Sequence, residues 1–190
     1  YSDGWLLRAS IVWSDLEGNA LKNNSYVPEF QDWNGQVNAD GRLSNFSTWE
    51  GKLSGSVDLP WGIKASAYYT WLSGEYWTPY ARVSSSAIKN NATNVNLVER
   101  GAEQLDDRHL VDVRLGKDFK LGGDLVLSLF ADAFNLLNSD TVTAVDQRWG
   151  TISYNASAPE KSTWSSRTAY RAPTAMESPR QIRLGARLAF

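Results

Sequence analysis

Asp107 and the single histidine, His109, are two residues apart, the minimal pairing from which an acid–base couple could be built. Both share the alternating parity of Val111 and Val113, so they belong to an apolar strand face. The expectation there is an interfacial histidine with no catalytic part. Cysteine is absent, which removes thiolate nucleophiles, disulfides and thiolate metal sites together. The segment Asn38-Ala39-Asp40-Gly41 is a fragment of a calcium-loop pattern without the later bidentate glutamate, and reads as a solvated turn. No nucleophile elbow or phosphate-binding loop occurs. The reading is therefore of a protein that is not an enzyme, holding no cofactor and no metal.

Bulk properties narrow the classes further. Nineteen Lys and Arg stand against 21 Asp and Glu, a net charge of −2 with no basic block, so nucleic acid is not an expected partner. Nine Trp and eight Tyr in 190 residues are an unusual aromatic load, suited to strands and membrane interfaces. No apolar run is long enough for a membrane-crossing helix. A membrane-crossing strand needs only alternate apolar residues and tolerates the mean hydropathy of −0.40. The first residue is Tyr1 and no signal peptide precedes the first strand-like segment, so the chain reads as a piece of a longer precursor.

The elements that would position any site follow from period-two patterning, which predicts six strands. Trp5, Leu7, Ala9, Ile11 and Trp13 share one parity. Trp49, Gly51, Leu53, Gly55, Val57 and Leu59 form the second set, and Ile63, Ala65, Ala67, Tyr69 and Trp71 the third. His109, Val111, Val113 and Leu115 mark the fourth strand, ending at Phe119. Leu125, Leu127, Leu129 and Ala131 mark the fifth. The last carries Ile182, Leu184, Ala186, Leu188 and Phe190.

Short hairpin signals join the second strand to the third at Pro60-Trp61-Gly62 and the fourth to the fifth at Gly122-Gly123. The other links, roughly residues 15–47, 78–106 and 138–178, are long and rich in Asn, Ser, Gly and aromatics. A strict long–short alternation puts every long loop at one end of the sheet, as in outer-membrane barrels. Spacings of eight to ten residues between Trp5 and Trp13, Trp61 and Trp71, and His109 and Phe119 project to roughly 20–25 Å at about 3.3 Å per residue and a tilt near 40°. That matches an apolar band between two aromatic girdles, with Trp5, Trp13, Trp49, Trp61, Trp71 and Phe119 as girdle residues. The expected class is all-β, a fragment of an antiparallel transmembrane β-barrel with about six strands, long extracellular loops and short periplasmic turns. A lectin-like soluble sandwich, with its Trp residues between two sheets, is the contrasting architecture.

Inward-facing Arg8, Glu50, Lys52, Asp58, Asp112, Arg114, Arg183 and Arg187 are expected to form wall networks in a wet lumen. Four Asn-x-Ser/Thr triplets, at Asn23, Asn45, Asn91 and Asn155, read as loop composition. Recognition belongs in the long loops, where Trp77, Tyr80, Arg82, Arg148, Trp149 and Tyr154 are the candidate contacts to an unknown small molecule or peptide.

The segments Leu110–Phe119 and Leu125–Asn138 resemble the penultimate hairpin of TonB-dependent transporters, and Ser178–Phe190 resembles their terminal strand. Leu59-Pro-Trp-Gly-Ile63 and Ser73-Gly74 are similar to the preceding hairpin, particularly in the Oar-like branch. The resemblance implies a bacterial outer-membrane location, a 22-stranded barrel whose plug and earlier strands are absent here, nutrient uptake energised through the TonB complex, and outer-membrane lipid around the wall. It also implies that Ile182, Leu184, Ala186, Leu188 and Phe190 are read by the barrel-assembly machinery. A non-transport barrel, serving adhesion, secretion or barrel-type catalysis through His109, is the alternative function.

Overall fold

A computed structural model describes residues 3–19, 36–44, 46–88 and 92–190. Asn23, Asn45 and Asn91, and much of the first long link, lie outside them. The described residues are all-β, in four sheets. The largest contains β1 (Trp5–Trp13), β2 (Trp49–Leu59), β3 (Ile63–Leu72), β8 (Arg108–Gly122), β9 (Leu125–Phe134) and β14 (Gln181–Ala189), antiparallel throughout and in chain order. These are the six strands that alternation predicts.

Register shows why alternation was decisive. One cross-strand row runs Leu7, Gly55, Ala67, Val113, Ala133, Ile182, and the next equivalent row runs Trp5, Val57, Ala65, Leu115, Ala131, Leu184. Between them lies Leu6, Ser56, Ser66, Arg114, Asp132, Arg183. Side chains alternate across a pleated strand, so one face is apolar across all six strands and the other is mostly polar. A slip of one residue in any strand would place Arg, Asp or Lys among the apolar rows.

Short turns close one end of this wall. Pro60–Gly62 is a single 3-10 turn in which Trp61 is left-handed (φ +64°) and 82% exposed. Because Trp61 sits in the turn, strand parity does not assign it a face. At the other hairpin, Gly122 and Gly123 have φ of +115° and +57°, beside a register shift between Lys120 and Gly122. Glycine reaches both angles without a Cβ clash. β1 and β14 each pair on one side only, so the sheet is open and no closed barrel forms among the described residues.

The long links differ from the expectation of irregular loops. β4 (Tyr76–Trp77) pairs with β7 (Glu103–Gln104), and β10 (Val142–Val145) pairs with β13 (Pro173–Met176). β5 (Tyr80–Ser84), β6 (Ala92–Asn96), β11 (Arg148–Ser153) and β12 (Thr163–Ser166) form a four-stranded sheet in the order β12-β11-β5-β6. Within it β11 and β5 run parallel, a pairing between two different long links that no local hairpin signal encodes. The buried apolar side chains among the described residues, namely Ala39, Trp77, Pro79, Ala81 and Ile88, all belong to this loop layer.

Candidate functional site

Two surfaces carry chemistry: the loop layer and the polar face of the wall. In the loop layer, backbone pairing assembles five of the six candidate recognition residues. Tyr80 on β5 lies opposite Arg148 on β11, and Arg82 lies opposite Thr151. Trp149 follows Arg148 and its ring stacks on Trp164 of β12 at 5.7 Å, with Trp164 itself 70% exposed. Tyr154 is exposed just beyond β11, where its N–H donates to the Ser84 carbonyl at 2.8 Å.

Arg148 turns back on its own strand. Its Nη2 donates to Thr151 Oγ1 at 2.5 Å and its backbone N–H to Asp146 Oδ1 at 3.1 Å. Arg82 is exposed, with its head group left to solvent. Trp77 does not join this surface. It is 6% exposed, packed against the edge of Tyr170 and beneath the Arg171 guanidinium, which in turn pairs with Glu103 at 2.5 Å. Its position is that of an anchor between the second and third long links.

Sequence reasoning missed a polar hollow beside Tyr80. Thr78, Asn94, Asn96, Arg100 and Gln147 line it, in a volume of about 200 Å³. These residues are scattered over two links, and only the β5–β11 and β5–β6 pairings gather them. The first link docks here through a reciprocal pair: Asn38 Nδ2 donates to the Asn96 carbonyl and Asn96 Nδ2 to the Asn38 carbonyl, both at 3.1 Å. The Asn38–Gly41 segment is therefore a docking turn, with Ala39 buried and Gly41 bridged to Arg100. A Cβ at Gly41 would lie 2.3 Å from the Arg100 carbonyl oxygen. No cluster able to hold a metal ion occurs among the described residues. Nearby, Arg42 pairs with Glu17 at 3.3 Å and bonds the Tyr76 hydroxyl. The Glu17 hydrogen bond foremost, then the field of Tyr76, pushes the Arg42 guanidinium further toward its protonated form.

At the junction of wall and loops, Asp107 and His109 make separate attachments. Asp107 accepts from Trp71 Nε1 and from the Gly74 N–H, each at 3.0 Å, while His109 Nδ1 shares a 2.8 Å hydrogen bond with the Tyr69 hydroxyl and stacks on its ring. The carboxylate thus orients the Trp71 indole. Trp71 overlies Gly51, where a Cβ would sit 3.1 Å from the ring. Trp13 and Trp49 are directly paired across β1 and β2, one row further along, with rings 6.4 Å apart. Trp5, Trp13, Trp49 and Phe119 are exposed on the apolar face. Ile182, Leu184, Ala186 and Leu188 are exposed on β14, and Phe190 follows it, 98% exposed.

Asn135 lies within the Leu125–Asn138 segment, and its geometry gives it a role. In left-handed conformation (φ +47°) at the end of β9, its N–H donates to Asp112 Oδ1, and its Nδ2 donates to the carbonyls of Ser139 and Ser178. Ser139 N–H returns a bond to Asn135 Oδ1. Asn138, also left-handed, accepts from the Arg180 N–H. The Phe-Asn-Leu-Leu-Asn run is thus a clasp joining β8, β9 and the start of β14. Asparagine tolerates positive φ and brings local hydrogen bonds, which was its readable signal. Arg108 bridges the links next to it, 3.5 Å from Glu75 and 2.8 Å from Glu177.

On the polar face of the wall, Asp132 is 4% exposed and receives Nε and Nη2 of Arg183 at 2.9 and 2.7 Å, with Arg114 Nε 3.5 Å away. The Arg114 and Arg183 guanidiniums lie over the rings of Phe130 and Phe134. One hollow of about 390 Å³ on this face reaches from Leu6 and Arg8 on β1 to Arg183 on β14.

No protein-family model matches the chain, and no solved structure matches it. The chain is similar to the TonB-dependent transporter Oar of Myxococcus xanthus, 24% identical over 232 aligned positions. That alignment covers the whole of this chain and 21% of the relative, so the chain spans about a fifth of the length of the curated protein it matches. An identity this low across so small a share supports a distant relation to such a transporter.

Proposed function

We propose that this chain forms the carboxy-terminal wall of an outer-membrane barrel that binds a nutrient at its extracellular loops and passes it to the periplasm with TonB-dependent energy. The observation that carries the reading is the division of the six-stranded sheet into an exposed apolar face and a mostly polar face. An apolar face several strands wide is stable in water only if something covers it. Lipid covers such a face in a barrel wall, where lumen-facing positions stay polar. The unpaired edges of β1 and β14 fit a sheet continued by further strands, because membrane hydrocarbon leaves no solvent to satisfy an open edge.

In this reading the girdle consists of Trp5, Trp13, Trp49, Trp61, Trp71 and Phe119. The loop sheet around Tyr80, Arg82, Trp149, Trp164 and the adjoining polar hollow faces the outside and meets the ligand. Trp77 and Arg148 support that surface from within. β14 with Phe190 is the segment presented to the assembly machinery.

Fractionation of cells expressing the complete protein tests the barrel, which should enter the outer membrane and leave it only with detergent. Protease on intact cells should cut within the three long links and spare the turns at Pro60 and Gly123. Periplasmic solutes of a deletion strain and its complemented parent, each with and without a protonophore, test transport. A solute that appears only with the protein and an intact proton gradient supports uptake, whereas identical profiles reject it.

A further inference from the structure

We infer that the polar hollow beside Tyr80 is a subsite for one neutral, polyhydroxylated ring, a sugar unit standing alone or ending a longer glycan. In the transport reading above, on which this rests, the loop sheet faces outward, so the chemistry of the hollow names the class of ligand. The hollow is small, about 200 Å³. Backbone pairing builds its walls: Tyr80 faces Asn96 across β5 and β6, Arg82 faces Asn94, and side chains two residues apart on a strand share a face. Tyr80 and Asn94 therefore lie on the same side of the sheet. Gln147 is held beside them because its carbonyl accepts the Tyr80 N–H at 3.0 Å.

Four of the lining groups are incompletely bonded. The Tyr80 hydroxyl and the amides of Asn94 and Gln147 have no partner among the described residues, although all three residues are half-buried. Thr78 is 8% exposed, and its Oγ1 accepts the Gly101 N–H at 2.8 Å, which leaves its own proton without an acceptor among the described residues. Polar groups withdrawn from bulk water and left unpaired cost free energy, so such a hollow needs water or a bound molecule to complete it. Their neighbours Asn38 and Asn96 are bonded to each other's backbone and hold the first link along one side.

The kind of molecule follows from the lining. No carboxylate among the described residues lines the hollow, so a cation finds no counter-charge, and Arg100, the one charged residue there, already has a partner. Neither sign of ligand charge is favoured. Apart from Ala39 and the Tyr80 ring the lining is polar, which gives an apolar ligand little to cover. The unpaired amides and hydroxyls offer donors and acceptors together, and hydroxyl groups spaced around a ring do the same, so a polyol can replace water bond for bond. The Tyr80 ring supplies an apolar plane for the C–H side of such a ring.

The complete protein, purified in a detergent without a sugar head group, is the material for the test. Saturation-transfer NMR is run with glucose, galactose, mannose and N-acetylglucosamine, with O-polysaccharide stripped from the producing cells, and with citrate and trialanine as an anion and a peptide. At least one of the sugars or the O-polysaccharide should take up saturation, and the same probe should slow proteolysis within residues 78–106 of the unaltered protein. Asn94→Leu and Gln147→Met, close in volume to the residues they replace, should each weaken that binding about tenfold, the scale of one or two lost hydrogen bonds. A free sugar that binds identifies a solute as the source, binding of the O-polysaccharide alone identifies a surface glycan, and either supports the inference. Absence of transfer to every sugar and to the O-polysaccharide overturns it, as do a preference for citrate or trialanine and an unchanged affinity in either variant. The purified protein reports these outcomes whether or not transport occurs, so a failed transport reading is seen separately, in the fractionation and solute assays.

Discussion

The wall and the loop layer hold themselves together by opposite means. In the wall, every strand from β1 to β14 pairs in unbroken antiparallel register apart from one shift beside Gly122, yet no apolar side chain of these six strands is buried. In the loop layer, pairings are short, shifted and partly parallel, yet Ala39, Trp77, Ala81 and Ile88 are each buried. The contrast teaches what each region requires from its surroundings. A ladder of backbone hydrogen bonds with an exposed apolar face is half a structure in water, because burial of apolar surface is the dominant favourable term and something else must provide it. The loop layer provides its own burial, and its polar links pin it to the wall at Arg108, Asp107 and Asn135.

Perturbations of the two regions should therefore have different readouts. The largest effect is expected at the chain end. Deleting Phe190 from the complete protein should lower its outer-membrane level several-fold and leave precursor exposed to periplasmic proteases, while Arg187→Gln on the polar face does much less. Quantitative fractionation of both decides it, and normal insertion without Phe190 would remove the assembly role from β14.

Next in size is the loop core. Trp77→Ala removes the side chain that Tyr170 and Arg171 cover, and should destabilise the loop layer by about 3 kcal/mol, the low end for a buried aromatic truncation. Limited proteolysis of membranes should then show faster cutting in residues 78–106 and 138–178, with membrane level unchanged. Equal loss from the membrane would erase the distinction between the two regions.

The wall counterpart is Val113→Arg, at the middle of the apolar row shared by all six strands. A charge there should cost about 2–4 kcal/mol in a bilayer and nothing comparable in water. Denaturant unfolding from lipid vesicles measures it, and a change below about 0.5 kcal/mol would argue against lipid on this face.

Asn135→Gly keeps the backbone free to adopt positive φ but removes the side-chain bonds of the clasp. A loss of about 1–2 kcal/mol is expected, since the Ser139 and Ser178 carbonyls lose a donor. Asn135→Ala should be worse, because it adds strain at φ +47°. The smallest effect belongs to Arg171→Gln. Its pair with Glu103 is exposed, so the change in loop proteolysis rate should be small and shrink further in salt.

Read from residues alone, the six wall strands, their order, their two short turns and their apolar rows were legible, because the side-chain period of a strand is two and each strand separates its faces independently. Trp49 pairing with Trp13, and the small Gly51 beneath Trp71, are consequences of that same alternation. The loop layer was not legible. Tyr80 and Arg82 meet β11 in parallel across a separation of nearly seventy residues, and no local rule predicts a pairing whose only signal is the shape of the assembled sheet. Among the candidate recognition residues, composition placed Trp77 and Arg148 with the others. Only tertiary packing separated a buried anchor and a self-bonded guanidinium from the exposed Arg82 and Tyr154 and from Trp149, half-covered by its stack on Trp164. Sequence thus determined which side of each wall strand is apolar, a property of every strand by itself. Tertiary structure decided which polar groups are free to meet a ligand, because that depends on which of them have already found one another.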